Sequence, residues 1–156
     1  MQIESSAVFL SVTGALLYLI LSYRFLIPYH RSLNNPLTDA TKILLSFSFL
    51  GFAIVLYIFF ETTINFCLKL LYDDISLGVF VYLIILILAF TSSLLIFNLS
   101  SVITQITLKE NEKAELAKNN YQVAGFHGIV FLFFTMLLSL PISQMVLNFI
   151  VAFVTE

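Results

Sequence analysis

The sequence predicts an all-α integral membrane protein, and its composition and its apolar stretches both support this prediction. Hydrophobic residues make up 60% of the 156 residues, charged residues make up 10%, and the mean hydropathy is +1.04. A water-soluble domain has about 25% charged residues, because its surface needs polar groups to stay in solution. The apolar residues also fall into four stretches, each long enough for a helix that crosses a bilayer.

The first two stretches predict a helical hairpin within residues 1–72. The first crossing is placed at about residues 6–27, where roughly 21 apolar residues would span about 31 Å before Pro28 ends the helix. Residues 28–41 read as a turn-rich linker. The second crossing is placed at about residues 40–66. Its apolar pattern continues toward Tyr72, which makes this helix longer than a bilayer core of about 30 Å requires.

The last two stretches predict a second hairpin within residues 73–156. The third helix is predicted over about residues 75–118, so that it extends from the bilayer into the hydrophilic segment 101–120, which contains no proline or glycine. The pair Glu115 and Lys118 supports helix there, because residues three apart face each other. The fourth crossing is predicted over about residues 122–154, with a kink at Pro141. The whole chain, residues 1–156, is treated as a single membrane domain.

The distribution of positive charge predicts the orientation in the membrane. Six of the seven Lys and Arg residues flank or lie in the two linkers, and only Lys69 falls on the opposite side. Cytoplasmic loops are enriched in Lys and Arg. The sequence therefore predicts a multi-pass protein of the inner (plasma) membrane, with linkers 28–41 and 101–120 in the cytoplasm and both termini outside.

Two segments of similar kind enter the second and fourth crossings. The first is FLIPYHRSLNNPLTDATKILLSFSFLGFAI and the second is KNNYQVAGFHGIVFLFF, each with paired asparagines before an outward helix. This pattern resembles the bacterial family called domain of unknown function 350, over about residues 20–140. The resemblance implies two tandem two-helix repeats in the same orientation and implies no established activity. The chain differs from the family pattern at Asp39, in its sparser glycines and in its longer charged linker.

Polar groups at membrane depth are the candidate ion contacts, since burying them in lipid is costly. Glu61 and Asn65 share a helix face near the outer end of the second crossing. They could form a cation-attracting ring around a shared axis, or Glu61 could be a solvated interfacial residue. His127 lies between Gly125 and Gly128. It could be a proton or ion contact at the cytoplasmic mouth, or a contact between helices that approach closely at the glycines.

Two further groups of candidates serve packing and partner binding. Small residues let membrane helices approach closely. The helix-packing candidates are Gly51, Gly125, Gly128, Ser92 and Ser93. The charged linker could recruit a soluble cytoplasmic partner. Its candidate contact residues are Lys109, Glu112, Lys113 and Lys118.

Several classes of function are disfavoured by what the sequence lacks. It contains no HExxH, CxxC, GxSxG or P-loop motif, and its two histidines and one cysteine are too few for a typical metal site. The sequence therefore predicts no catalytic residue, no metal and no cofactor. A net charge of −2 and a pI near 5.6 give no basic surface for nucleic acid.

Three functions remain open from the sequence. The first is a homo-oligomer that conducts ions or perturbs the membrane, in a stress or defence response. The second is a non-catalytic structural or anchoring subunit, which recruits a soluble partner or belongs to a larger membrane complex. The third is a small carrier that uses the interface between its repeats, although no charged residue lies at the predicted midplane. The expected partners are the lipid bilayer, further copies of the chain and a soluble cytoplasmic protein.

Overall fold

The computed structural model describes residues 2–33, 38–109 and 111–155, and within these ranges the chain is entirely helical with no strand. The helices are α1 (Gln2–Leu33), α2 (Asp39–Asp73), α3 (Ile75–Leu108), α4 (Glu112–Ala117) and α5 (Tyr121–Thr155). Among the described residues, α2, α3 and α5 are long and apolar enough to cross a membrane, and α1 contributes the shorter apolar segment Val12–Ile27. The predicted all-α class and membrane character are thus confirmed, whereas the fourth crossing stays a prediction.

Short caps define where α2 and α3 begin. The Thr38 hydroxyl accepts a hydrogen bond from the Thr41 N–H at 3.2 Å, which satisfies one of the free donors at the start of α2. Asp74 is the single extended residue between α2 and α3, and its side chain accepts from the Leu77 N–H at 3.1 Å. Because only one residue separates the two helices, they fold back on each other as an antiparallel pair.

Ring contacts show the relative directions of α2 and α3 and place α1 beside them. Phe60 of α2 stacks on Tyr82 of α3, with ring centroids 6.1 Å apart. Phe52, eight residues earlier in α2, meets Phe90, eight residues later in α3, at 5.9 Å. Tyr18 of α1 also meets Phe90, at 5.9 Å. The α2 and α3 contacts therefore advance in opposite directions along the two helices.

The contacts of α2 with α5 advance in the same direction. Near the first residues of both helices, Ala40 packs in one buried cluster with Ala124. About two-thirds of the way along both helices, the hydroxyl groups of Thr62 and Ser143 lie 3.0 Å apart. Helices α2 and α5 are therefore parallel neighbours, and each is antiparallel to α3.

Aromatic side chains fill the centre of the bundle. Phe52 contacts Tyr18 at 6.2 Å and Phe131 at 6.1 Å between ring centroids, and Phe131 also contacts Phe97 at 5.4 Å. All four of these side chains are buried. The middle of one chain is therefore closed by packed rings.

The outer surface of the bundle is also apolar. Large exposed hydrophobic side chains occur on every long helix, including Leu16, Ile20, Leu50, Ile87, Leu95, Ile129, Phe133, Met136 and Phe149. Soluble monomers rarely expose contiguous apolar surface of this extent. Side chains that are apolar both inside and outside the bundle are typical of a protein that is solvated by lipid.

The predicted continuous third helix over residues 75–118 is wrong. Helix α3 ends at Leu108, Lys109 adopts the left-handed conformation with φ of 54°, and Asn111 caps the separate helix α4. The physical reason is tertiary: the side chain of Glu112 turns back to a buried partner on α5. A straight extension would carry residue 112 about 6 Å beyond the end of α3, into water.

The end of the first helix at Pro28 also differs from the sequence-based boundary, whereas α5 agrees with the predicted bounds of about residues 122–154. Helix α1 continues through Pro28 to Leu33 rather than ending near residue 27, and α5 is helical on both sides of Pro141. A proline inside a helix lacks the N–H that would bond to the carbonyl four residues earlier. A long helix that continues through a proline therefore loses that backbone hydrogen bond. The predicted bend at Pro141 stays a prediction.

Candidate functional site

A buried polar cluster lies where α3, α4 and α5 meet. The Glu112 Oε1 and His127 Nδ1 atoms are 2.6 Å apart, with the histidine side chain fully buried and the glutamate side chain 5% exposed. The second carboxylate oxygen of Glu112 accepts a hydrogen bond from the Ser101 hydroxyl at 2.5 Å. The Gln105 amide donates to the same hydroxyl at 3.3 Å. We call these four residues, Ser101, Gln105, Glu112 and His127, the Glu112 cluster.

Asn111 places Glu112 at the first position of α4. The Asn111 side-chain oxygen accepts hydrogen bonds from the backbone N–H groups of Lys113 at 3.1 Å and Ala114 at 3.4 Å. This cap starts a new helix whose axis is independent of α3. Because the axis of α4 is not fixed by that of α3, the side chain of Glu112 can point into the bundle and reach His127.

The other end of α4 is fixed to the beginning of α2. The Thr38 hydroxyl donates to the Leu116 carbonyl at 2.9 Å, and the Ala40 N–H donates to the Asn119 side chain at 2.8 Å. Asn119 has φ of 62°, a conformation that asparagine tolerates better than most residues. Leu116 is fully buried beside Ala40. Helix α4 is therefore held against the bundle at both ends.

The second asparagine of this pair begins α5. The Asn120 side-chain oxygen accepts from the Gln122 N–H at 3.0 Å, and its amide donates to Glu115 at 2.9 Å. Glu115 also forms an ion pair with Lys118 at 2.6 Å. The paired asparagines thus have separate roles, because Asn119 joins α4 to α2 and Asn120 caps α5.

The environment of Glu112 favours its charged form. Burial alone raises the pKa of this carboxyl, but the hydrogen bond and charge of His127, together with hydrogen bonds from Ser101 and Gln105, hold the pKa below its ordinary value of 4.5. An ionised carboxylate only accepts hydrogen bonds, so His127 Nδ1 carries a proton and donates it. Among the described residues, His127 Nε2 has no hydrogen-bond partner, and the Phe97 ring lies 4.9 Å from the imidazole.

The chemistry open to this cluster is limited. Glu112 and His127 are two metal-ligating side chains, and the described part of the chain contains no group of three or more His, Cys, Asp or Glu residues that could hold a metal ion. Structural zinc sites use four protein ligands. The cluster can instead hold a proton between an acid and an imidazole, and it can fix α4 to α5.

A second polar site lies on the outer surface of α2 and α5. Thr62 and Ser143 join the two helices, while Glu61 and Gln144 are exposed one residue before Thr62 and one residue after Ser143. On two helices that run in the same direction, these offsets place both side chains on the same side of the seam. Asn65 and Asn148 follow one turn later and are also exposed. We call Glu61, Asn65, Gln144 and Asn148 the outer polar patch.

The predicted position of Glu61 near the outer end of the second crossing stays a prediction, but a ring contact places Glu61 relative to α3. Phe60, the neighbour of Glu61, stacks on Tyr82. Tyr82 is seven residues into α3, or about 10 Å along its axis. Residues 75–97 of α3 are mostly apolar. Glu61 therefore lies level with an apolar part of α3. Glu61 has no ion-pair partner among the residues that the structure describes.

Glu61 and His127 are far apart. Gly128, which follows His127, lies against Phe47 of α2. Phe47 and Glu61 are 14 positions apart on one helix, or about 21 Å along its axis. The structure therefore does not bring the predicted ion contacts together, and pairs His127 with Glu112 instead.

The three glycine candidates occupy different surroundings. A Cβ atom at Gly51 would lie 2.2 Å from the Phe131 ring, and one at Gly128 would lie 2.4 Å from the Phe47 ring. A Cβ atom at Gly125 would meet nothing within 4 Å. Gly51 and Gly128 are thus used for contacts between α2 and α5 within the chain, whereas Gly125 faces open space.

The two serine candidates are buried on α3. The Ser92 hydroxyl donates to the Leu88 carbonyl at 2.7 Å. The Ser93 hydroxyl lies within hydrogen-bond distance of the Tyr18 hydroxyl of α1 and also donates to the Ala89 carbonyl. Ser93 therefore forms a polar contact between α1 and α3, and Ser92 bonds to its own helix.

The candidates for partner binding are divided by the structure. Lys109, Lys113 and Lys118 are exposed, whereas Glu112 is 4% exposed and points into the bundle. Glu112 is therefore unavailable to a soluble partner. Its role inside the protein, with Ser101 and Gln105, was not evident from the sequence. Gln144 and Asn148 were also missed, although two amides four residues apart in an apolar stretch are a visible signal.

Comparisons of the chain with models of protein families, with curated proteins and with solved structures found no match. The resemblance to domain of unknown function 350 stays a prediction that depends on the two segments with paired asparagines. The features of the chain that bear on its function are therefore its two polar sites.

Proposed function

We propose that the protein is a non-catalytic, multi-pass protein of the inner membrane that acts as a homo-oligomer and passes cations between its copies. In this proposal the apolar parts of α1, α2, α3 and α5 cross the bilayer as two tandem hairpins with the same orientation. The parallel contacts between α2 and α5, and their antiparallel relation to α3, support that arrangement.

The closed interior of the bundle explains why several copies are needed. Phe52, Phe97 and Phe131 pack against one another across the centre of the chain. An ion path through this centre would have to displace buried rings, whose removal from a core typically costs 3–5 kcal/mol each. A path lined by the outer surfaces of several copies avoids this cost.

The observation that carries the proposal is the exposed side chain of Glu61, which lies level with an apolar part of α3 and has no ion-pair partner among the described residues. An ionised side chain in the middle of a membrane helix costs about 3 kcal/mol on insertion scales, and such residues usually face a protein partner or a water-filled path. Carboxylates arranged around an axis attract cations. Further copies of the chain would supply both the covering surface and the ring.

Cation flux through proteoliposomes tests this function. We expect purified protein in liposomes to pass K⁺, and we expect Glu61→Gln to lower the flux about tenfold, equivalent to about 1.4 kcal/mol of lost attraction. Glu115→Gln is the matched control, because it removes a carboxylate that pairs with Lys118 in α4. Liposomes that stay tight with wild-type protein, or equal flux in both variants, would contradict the proposal.

An anchoring function is the second candidate, and one observation favours it. Helix α4 is held at both ends, so Lys113 is displayed on a fixed surface rather than on a loose loop. A fixed charged surface is suited to docking an acidic soluble partner. Tight liposomes, together with loss of a co-purifying soluble protein after charge reversal at Lys109 and Lys113, would favour this function over conduction.

A further inference from the structure

We infer that the outer polar patch, formed by Glu61, Asn65, Gln144 and Asn148, is the surface through which copies of this chain contact each other in the bilayer. The inference deepens the proposed function and rests on its self-association part, since it names the surface and the partner. It assigns a role to Gln144 and Asn148, which lie on α5 rather than on the helix that carries Glu61.

The four side chains form one surface because of how α2 and α5 pack. The hydroxyl groups of Thr62 and Ser143 meet at 3.0 Å, which sets these two positions at the same depth. Glu61 and Gln144 are the adjacent residues on the outer side of that contact, and both are exposed. The inward side of the seam is occupied by buried residues such as Thr63. The patch therefore faces away from the chain's own core.

The chemistry of the patch calls for a polar partner at membrane depth. No hydrogen bond joins these four side chains to any other described residue. An amide or carboxyl group in contact with lipid leaves its donors and acceptors unsatisfied. By contrast, large side chains exposed elsewhere on α3 and α5, including Ile87, Leu95 and Phe133, are apolar and suit lipid. Interhelical hydrogen bonds of this kind help to hold membrane helices together.

A second copy of the same chain is the partner that fits. All copies inserted by the same route share one orientation, so a symmetry axis along the membrane normal brings identical residues to the same depth. Each patch offers a carboxyl group that accepts hydrogen bonds and three amides that both donate and accept. Such a set is complementary to itself. The Glu61 carboxyl of one copy can accept from the Asn65 or Gln144 amide of its neighbour.

Disulfide cross-linking in native membranes tests the inferred surface. A single cysteine is placed at Leu140, which is 49% exposed one turn before Gln144, in a Cys67→Ser background that removes the natural thiol. The control cysteine replaces Leu95, which is 65% exposed on α3. We expect oxidation to link two copies through Leu140→Cys and not through Leu95→Cys. Adding Gln144→Leu and Asn148→Leu should lower the cross-linked fraction by roughly fivefold.

Leucine is well tolerated on a lipid-facing surface, so these variants are expected to insert and fold normally, which labelling of the residue-140 thiol verifies. Cross-linking through residue 95 but not 140, no cross-linking at either residue, or cross-linking of residue 140 to a different membrane protein would overturn the inference. A chain that passes cations without cross-linking at residue 140 would retain the proposed function and lose this interface. A chain that cross-links at residue 140 but leaves liposomes tight would retain this interface and lose the proposed cation conduction.

Discussion

Replacing His127 with alanine is expected to lower the free energy of unfolding by about 3–5 kcal/mol, because it leaves the buried carboxylate of Glu112 without its hydrogen-bond partner. The same change should release α4 from the bundle. Limited trypsin cleavage next to Lys113 should therefore become faster, and denaturant unfolding in mild detergent should show the loss of stability.

Two comparisons separate this effect from general damage. Replacing both members of the pair, Glu112→Leu with His127→Phe, should recover most of the stability, since apolar groups of similar volume often replace a buried ion pair without loss. Glu115→Ala removes the ion pair with Lys118 and the hydrogen bond from Asn120 at the surface, and should change stability little. A His127→Ala protein as stable as the Glu115→Ala protein would show that the Glu112 cluster contributes nothing to holding α4.

The same pair predicts the direction of a pH dependence. The folded-state pKa of Glu112 is below its ordinary value of 4.5, so its stabilising contribution is complete above that value and is lost as the pH falls through the folded-state pKa. Glu112→Gln should remove this part of the acid sensitivity. An acid unfolding curve that is unchanged by Glu112→Gln would contradict the assignment.

Replacing Gly51 with leucine is expected to be the second large perturbation. Even a Cβ atom at this position would lie 2.2 Å from the Phe131 ring. That ring cannot move easily, because it is fully buried and packs against Phe52 and Phe97. Overpacking of a filled core typically costs 1–3 kcal/mol, and leucine adds three more carbon atoms to the clash. Helices α2 and α5 should separate, and the unfolding temperature in detergent should fall.

Gly125 supplies the matched control for this substitution. It lies on α5, and a Cβ atom there would meet nothing within 4 Å. Gly125→Ala should therefore be neutral or slightly stabilising, because alanine favours helix over glycine by about 1 kcal/mol. Equal destabilisation by Gly51→Leu and Gly125→Ala would contradict the role of the contact with Phe131, since helix propensity favours both alanine and leucine over glycine.

The sequence was most informative where a property is summed over many residues. Composition and the long apolar stretches predicted an all-helical membrane protein, because lipid solvation requires the same apolar character along every crossing. The end of α3 could not be predicted from such summed properties. Residues 109–118 favour helix locally and contain no proline or glycine, yet Lys109 breaks the helix so that Glu112 can reach His127.

The partners of individual side chains could also not be predicted from the spacing of residues in the sequence. Glu112 and His127 are 15 positions apart and are separated by the turn at Asn119, so no single helical period relates them. The use of Gly51 depends on which ring of α5 lies opposite, and that register follows from packing. In the outer polar patch, the pair Glu61 and Asn65 was visible from the sequence, but its proximity to Gln144 required the parallel contact of α2 with α5.

The orientation of the chain in the membrane is the most direct test of this account, because it requires the Glu112 cluster at the cytoplasmic end and the patch at membrane depth. Single cysteines at Lys113 and at Asp73, both exposed positions, are introduced into a Cys67→Ser background in intact bacterial cells. An impermeant thiol reagent should label residue 73 at once and residue 113 only after the membrane is opened. Immediate labelling at residue 113 with protection at residue 73, or labelling of both in intact cells, would contradict the account.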